Sequence, residues 1–483
     1  MILLLSEMAD ILIKNGIIIT MDPERRIIQD GAVAIEDDRI LEIDETKMLE
    51  TKYSCDRVID AKDHIVMPGL MDAHAHAGHS LLKSLGLHSG TWYKACEVIY
   101  SQASTEGFWE ADALLFNLER LRFGVTCGMT FLGGGDSVMR VDDPVFAEKH
   151  AQSSANIGVR SYIAVGPQRP PFPRKYSKWS GSARRDYMVT FEDMIRTCRR
   201  IVETCHGLGG LASVSMMFPT PTPEDLNMSG VDLSDLRMMA DSVKGLAREE
   251  GLLLAMDGHT RGTVRFCQEE LDLLDSRSIL GHSTELTEEE IGICSRLGLK
   301  IAHNPSAVAS IKGRCPVPEL IDAGVTVALG SDASAPDRSA DMFRHMFQAT
   351  RYHRRHYRNE RVLPPGKVLE MATIDSAKAF GVEDELGSLE AGKKADVICI
   401  DMRRPHLYPP NMPVDRVVYY ANGNDVDTVI VDGKLLMENG EVLSVDEDWV
   451  LDYARSELED AVGRSKLKDL YDTTQNYWGK SIY

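Results

Sequence analysis

Five short stretches of this 483-residue chain carry residues able to hold a metal ion or move a proton: Asp72-Ala-His74-Ala-His76, Asp257-Gly-His259, Gly281-His282-Ser, His303-Asn-Pro and Ser331-Asp332-Ala. Val66, Met67, Leu70 and Met71 precede the first of them as the end of a buried strand. Residues two apart on a strand point the same way, so His74 and His76 present two imidazoles together. Imidazole nitrogens with a carboxylate oxygen suit Zn²⁺ or a similar divalent ion and leave one position for water. Such an ion lowers the pKa of that water to about 7, and a carboxylate beside both can take the proton and pass it to a leaving group. Asp332 fits that double role because it directly follows the apolar run Val325–Leu329. His282 is placed to hydrogen-bond the hydroxide or a substrate oxygen. The competing reading, two surface histidines beside a turn, is opposed by Pro68 and Gly69 and by the recurrence of candidate ligands later in the chain.

That recurrence follows strand ends. Between residues 65 and 329 strand-like runs alternate with longer helical patterns: Ile65–Ala73, Val125–Phe131, Arg160–Val165, Ala212–Phe218, Leu252–Met256, Ser278–Leu280, Lys300–Ala302 and Val325–Leu329. Eight such alternations predict an α/β fold, a closed (β/α)₈ TIM barrel with its site at the C-terminal ends of the strands. His74 and His76 then follow strand one, Asp257 and His259 strand five, His282 strand six, His303 strand seven and Asp332 strand eight. Short alternating runs before residue 66 (Ile11-Leu-Ile, Ile17-Ile-Ile, Gly31-Ala-Val-Ala-Ile, Arg39-Ile-Leu-Glu-Ile) return late in the chain as Ala395-Asp-Val-Ile-Cys-Ile, Val414-Asp-Arg-Val-Val-Tyr-Tyr and Val426-Asp-Thr-Val-Ile-Val. The two chain ends are therefore expected to share a small flanking β-sandwich. The expected boundaries are 1–66 and 386–483 for its two parts, with the barrel over 67–385. Helices are clearest at Thr287, which can cap with Glu290, at Lys367–Phe380 ending in Gly381, and at about Asp446–Ser465.

The balance of 54 Lys+Arg against 74 Asp+Glu, a formal charge of −20, opposes a nucleic-acid surface. The basic run Arg351–Arg358 then reads as a solvated helix face or an interface. Met1–Leu5 is too short for a signal segment, no later run is long enough to span a bilayer, and nine cysteines show no C-x-x-C pair. Together these place the chain in the cytoplasm, away from membranes, with a small-molecule substrate. A homo-oligomer is the expected assembly.

The segments Pro68-Gly-Leu-Met-Asp-Ala-His74-Ala-His76, Gly281-His282-Ser, His303-Asn-Pro-Ser-Ala and Gly330-Ser-Asp332-Ala-Ser resemble the amidohydrolase superfamily, in the branch of triazine chlorohydrolases and aminohydrolases and of methylthioadenosine/S-adenosylhomocysteine deaminases. Gly387–Val397 and Asp425–Asn439 are similar to that branch's C-terminal strands. The resemblance implies a barrel with a flanking β-sandwich and one divalent metal ion, Zn²⁺ first, with Fe²⁺, Co²⁺ or Mn²⁺ as alternatives. It assigns His74, His76, His259 and Asp332 as ligands, with His282 beside the reactive water. Binuclear members use a strand-four lysine; Leu211–Pro219 has none, which supports a mononuclear site.

Two departures stand out. Deaminases of the branch carry H-x-x-E after strand five, but three residues after His259 stands Gly262. Either Asp257 substitutes for that proton shuttle, or Asp257 is itself the ligand with His259 nearby, or the reaction does not need the acid. The strand-four ending, Pro219-Thr-Pro-Thr-Pro, lacks the histidine of nucleoside deaminases, which argues against adenosine-like substrates. The basic, aromatic segment Pro167–Arg185 reads as a lid bringing Arg174 or Trp179 to the substrate, or equally as a surface excursion or subunit contact. Trp92, with Tyr93, is a candidate pocket wall, set against ordinary core packing, and His303 is a candidate substrate contact; His79 and His88 lie near the first ligands. The reading is a metal-dependent hydrolase of a non-peptide carbon–nitrogen bond in a small planar molecule, a deaminase or aminohydrolase of an amidine-like or heterocyclic carbon. Hydrolysis of a urea or carbamate, and displacement of halide, are alternatives on the same site. The non-enzymatic alternative is a binding or assembly protein.

Overall fold

The computed structural model describes residues 7–87, 90–227, 231–307, 313–471 and 478–479. Strands β1 (Glu7–Ile19), β2 (Ile27–Glu36), β3 (Arg39–Glu45), β4 (Tyr53–Asp60) and β5 (His64–Pro68) come first, and β6 (Leu70–Asp72), β7 (Val125–Phe131) and β8 (Arg160–Val165) begin the barrel. A hairpin of β9 (Arg174–Ser180) and β10 (Ala183–Val189) interrupts it. Strands β11 (Ala212–Met217), β12 (Leu254–Met256), β13 (Ser278–Gly281), β14 (Lys300–His303) and β15 (Thr326–Leu329) complete it, and β16 (Val397–Asp401), β17 (Val426–Val431), β18 (Lys434–Glu438) and β19 (Glu441–Val442) follow.

The order β15-β14-β13-β12-β11-β8-β7-β6 is a parallel eight-stranded barrel, and all seven residues of β7 are buried, as strands covered on both faces require. The seam between β15 and β6 is closed by Ala73 N–H donating to Leu329 O (2.8 Å) and Asp332 N–H donating to His74 O (2.8 Å). These bonds set His74 and Asp332 side by side before any side chain acts.

The second sheet joins both chain ends in the order β19-β18-β17-β16-β5-β1-β2-β3, with β4 also on β1. Strand β1 runs parallel to β4 up to Lys14, then to β5 from Ile17, switching at a bulge where Asn15 has φ +63°. The core of this unit draws on Ile13, Ile18, Val33, Val397 and Ile430.

Three sequence expectations change. The run Ile65–Ala73 is two strands in two sheets: Gly69 N–H bonds Asp396 O (3.0 Å) in the end sheet and Leu70 N–H bonds Gly124 O (2.9 Å) in the barrel. A Cβ at residue 69 would collide with Thr126, so the chain can cross there only as glycine. The expected strand at Val414–Tyr420 is a helix, Pro413–Tyr419, with proline in its first turn. Val414, Val417 and Val418 fit helical spacing as well as they fit strand composition, and Val417 and Val418 are buried. The single helix expected over Lys367–Phe380 is two, Pro365–Met371 and Ile374–Phe380, the second closed by Gly381 in the left-handed region. The capping box of Thr287 with Glu290 and the helix Glu447–Ser465 are present. No helix among the described residues is long and apolar enough to cross a membrane.

Candidate metal and catalytic site

Beyond β6 the chain stays extended, with Phe131 N–H bonding Ala75 O and Ala77 N–H bonding Phe131 O, each at 2.8 Å. Strand alternation therefore continues through His74 and His76 and turns both rings to the barrel mouth. His76 Nδ1 lies 2.9 Å from Gly133 O, which fixes its hydrogen on Nδ1 and leaves Nε2 with a lone pair facing the site.

Asp72 anchors this rim. Its carboxylate accepts from Ser331 N–H (2.9 Å), Ser331 Oγ–H (2.7 Å) and Arg120 Nη2 (2.9 Å), all buried, and so ties the turn that carries Asp332 to the strand that carries His74. Asp332 has φ +65° and His282 φ +61°, a left-handed backbone that costs an ordinary residue roughly 1–2 kcal/mol. Surrounding hydrogen bonds hold both residues there.

The donor atoms converge. His74 Nε2 is 3.4 Å from Asp257 Oδ1 and 3.7 Å from Asp332 Oδ1. His76 Nε2 is 3.7 Å from Asp257 Oδ2 and 3.3 Å from Asp332 Oδ1, and His282 Nε2 is 3.1 Å from Asp257 Oδ1. Two candidate metal groups result, His74–His76–Asp332 and His74–Asp257–His282, sharing His74. Ligands about 2.1 Å from a tetrahedral ion stand about 3.4 Å apart, which these separations match. His74 Nε2 and Asp257 Oδ1 are buried with no hydrogen-bond partner, a costly state for polar atoms unless a cation lies between them. The donor set thus fits a divalent ion.

The electrostatics agree at Asp257, Asp332 and His74, while at His76 burial is outweighed by the neighbouring Asp332 and Asp257 carboxylates, which raise the imidazole pKa. Burial opposes the charge on Asp257, but the neighbouring His282 and His74 imidazoles outweigh it and hold the carboxyl well below the usual range. Burial likewise opposes Asp332, and His282, His76 and Arg338 overcome it. Burial lowers His74, favouring the neutral imidazole that a metal needs. Space is made by glycines: a Cβ at Gly281 would come within 2.9 Å of the His74 ring and one at Gly135 within 2.5 Å of Asp257 Oδ2.

His259 is in neither group but stands close by, where the charges of Asp257 and His282 act on its ring and its Nε2 is buried without a hydrogen-bond partner. It is fully buried, its Nδ1 meets Thr263 Oγ1 at 2.9 Å, and burial lowers its pKa to about 3. Gly258, with φ +73°, separates it from Asp257 and turns the chain so that the aspartate enters the cluster. His303 is also buried, its Nε2 3.3 Å from His353 Nε2, and it does not line the cavity over the site.

That cavity holds about 300 Å³ above His76, Asp257, His282 and Asp332, with Trp92 and Tyr93 in its wall. His79 lines it too, its ring centroid 5.5 Å from that of His76. Burial first, and then His76, push His79 well below the ordinary imidazole range. His88 lies outside the described residues. In the basic segment after β8, neither Arg174 nor Trp179 reaches the cavity: Trp179 Nε1 bonds Gln102 O at 2.8 Å and Arg174 Nη2 bonds Ser137 O at 3.1 Å. Sequence reading missed two residues. Arg338 Nη1 is 3.4 Å from Asp332 Oδ2. Asp136 is paired with Arg169 at 2.8 Å, and burial and then the neighbouring Asp257 raise it to about 7. Their signal was position alone, on loops after barrel strands eight and two.

The model of the Amidohydrolase family matches residues 247–436. A 5'-deoxyadenosine deaminase of Methanosarcina acetivorans is 31% identical over 465 residues, covering 95% of this chain and 100% of its own length. A 5-methylthioadenosine/S-adenosylhomocysteine deaminase of Moorella thermoacetica is 32% identical over 469 residues, covering 92% and 97%. Among solved structures, an adenosine deaminase from Xanthomonas campestris with bound zinc superposes with a TM-score of 0.79 at 22% identity, covering 95% of this chain and 100% of its own. An atrazine chlorohydrolase variant from Arthrobacter aurescens, complexed with zinc and atraton, gives 0.75 at 20% identity, covering 93% and 100%.

Proposed function

The chain belongs to the amidohydrolase family and is a metal-dependent hydrolase of carbon–nitrogen bonds other than peptide bonds, and we propose that it is a deaminase or aminohydrolase of a small amino-heterocycle or amidine-like substrate. The observation that carries this reading is the convergence of His74, His76, Asp257 and Asp332 at 3.3–3.7 Å beneath a cavity of substrate size. The deaminase names of the two full-length relatives support it.

In this reading His74, His76, Asp257 and Asp332 hold one divalent ion, Zn²⁺ in preference to Fe²⁺, Co²⁺ or Mn²⁺, with Asp257 taking the strand-five place. A bound ion of this kind supplies a water that loses its proton near pH 7. Asp332 turns Oδ1 toward the histidines and Oδ2 toward Arg338, so one carboxylate reaches both the ligand cluster and the cavity. It accepts the water's proton and returns it to the nitrogen that departs as the attacked carbon passes through a tetrahedral state. His282 steadies the Asp257 carboxylate and faces the attacking oxygen. Trp92 flanks the planar substrate.

A second reading rests on the missing shuttling glutamate of H-x-x-E: three residues after Asp257 stands Thr260 and three after His259 stands Gly262, so neither register supplies the acid. A halide departs as an anion and so tolerates that loss, while the amine leaving a urea or carbamate would take its proton by a different path. We also place the enzyme in the cytoplasm, supported by nine cysteines that are all free thiols.

Metal content measured by mass spectrometry, followed by product analysis across amino-heterocycles, 5'-deoxyadenosine, ureas and carbamates, tests the proposal. Ammonia from an amino-heterocycle is the expected result. Amine release confined to ureas or carbamates would replace it with the second reading, and protein that binds no divalent ion would overturn both.

A further inference from the structure

Among the described residues lining the cavity, Arg338 is the one arginine or lysine. Its side chain is only 11% exposed. Its Nε is buried without a hydrogen-bond partner, and its Nη1 makes only a long bond to Ala333 O, at 3.3 Å. The nearest carboxylates are Asp332 Oδ2 at 3.4 Å and Asp337 Oδ1 at 3.9 Å, the latter on a side chain 60% exposed. A guanidinium offers five N–H donors in a planar fork, and here most of them are unspent.

The charge inventory sharpens this. One divalent ion would offset the carboxylates of Asp257 and Asp332, and the other carboxylate near the largely buried Arg338 is Asp337, whose side chain is 60% exposed. Burying a charge this way is costly unless something in the pocket completes it. The position is informative as well: Arg338 lies beside Asp332 Oδ2, the oxygen turned away from His74 and His76 and 4.0 Å from His282 Nε2, so a substrate offering its leaving nitrogen to Asp332 lies against the guanidinium.

We infer that Arg338 is the specificity-determining residue of the site, and that the substrate carries an oxygen acceptor, a ring carbonyl or a carboxylate, within one or two bonds of the carbon that loses nitrogen. The inference rests on the amino-heterocycle reading above and narrows it from amino-heterocycles in general to oxo- or carboxy-substituted ones. A ring nitrogen alone would leave the fork unfilled. The pocket volume of about 300 Å³ admits a one- or two-ring compound of this type.

The test compares matched pairs that differ only in the oxygen: cytosine against 4-aminopyrimidine, and guanine against 2-aminopurine. Binding to metal-replete protein is measured by calorimetry and turnover by ammonia release. The oxo member of at least one pair should bind about tenfold more tightly or better, as a charged hydrogen bond provides. Arg338→Gln should reduce that preference to about twofold, and Arg338→Lys should restore part of it. Equal binding of both members by the wild type, no binding of any member, or discrimination that survives in Arg338→Gln would each overturn the inference. The wild-type comparison needs no variant and stands even if a substitution unfolds the protein. Ammonia release without oxygen discrimination sinks this inference and spares the deaminase reading; oxygen-dependent binding without ammonia release does the reverse.

Discussion

The rim of the barrel at the seam between β15 and β6 and the rim after β12 were built by different means. At the seam the backbone is hydrogen-bonded on both sides past the formal strand ends, so His74, His76 and Asp332 inherit their directions from strand alternation and from bonds such as Asp332 N–H to His74 O. After β12 the strand stops at Met256, Gly258 turns left-handed, and that turn sets which of Asp257 and His259, two positions apart, faces the cluster. Ligands on continued strands follow from spacing; ligands on a turn depend on a backbone angle that spacing does not encode.

The largest effects should come from the seam. Asp332→Asn keeps the shape but loses both the ligand charge and the proton carrier, and kcat should fall by about 10³-fold or more, the upper part of what such a residue supplies. Circular dichroism should be unchanged, and activity near that of the wild type would break the assignment of Asp332. Asp72→Ala leaves the buried Arg120 without its partner, so stability should drop by about 3–5 kcal/mol in denaturant titration. A loss under about 1 kcal/mol would mean that the seam is held by backbone bonds alone.

The turn after β12 gives the more discriminating pair. Asp257→Ala should lose divalent metal on dialysis and weaken its affinity by about 10–100-fold, while His259→Ala should keep the metal and lose only packing. The opposite pattern would restore His259 as the ligand and make Asp257 the proton carrier.

What the sequence disclosed follows the same division. All eight barrel strands were legible because each is a short, largely apolar run set between longer helical patterns, and the histidines and Asp332 follow from their places after those runs. The first strand was read too long because only the packing against Thr126 shows that Gly69 divides it between two sheets. The helix at Pro413–Tyr419 was read as a strand because a seven-residue segment rich in valine satisfies both periods, and neighbouring helices settled the matter. Arg338 and Asp136 could not be read at all. Each lies several residues into a loop, where no period relates sequence to direction, and only the folded rim shows that one meets Asp332 and the other neighbours Asp257.

The smallest expected effect separates the two regions most finely. The Thr263 hydroxyl donates to Thr260 O at 2.7 Å and so accepts from His259 Nδ1 at 2.9 Å, which leaves the His259 Nε2 lone pair buried and unpartnered. If His259 were a ligand, Thr263 would orient it as Gly133 O orients His76, and Thr263→Ala would cost metal affinity on the order of tenfold or more. If Asp257 holds that place, Thr263→Ala removes one hydrogen bond in a packed corner, and stability should fall by about 1 kcal/mol with metal binding unchanged. Titrating a competing chelator against both proteins distinguishes these outcomes, because the stability loss is the same in either case and only the metal curve moves.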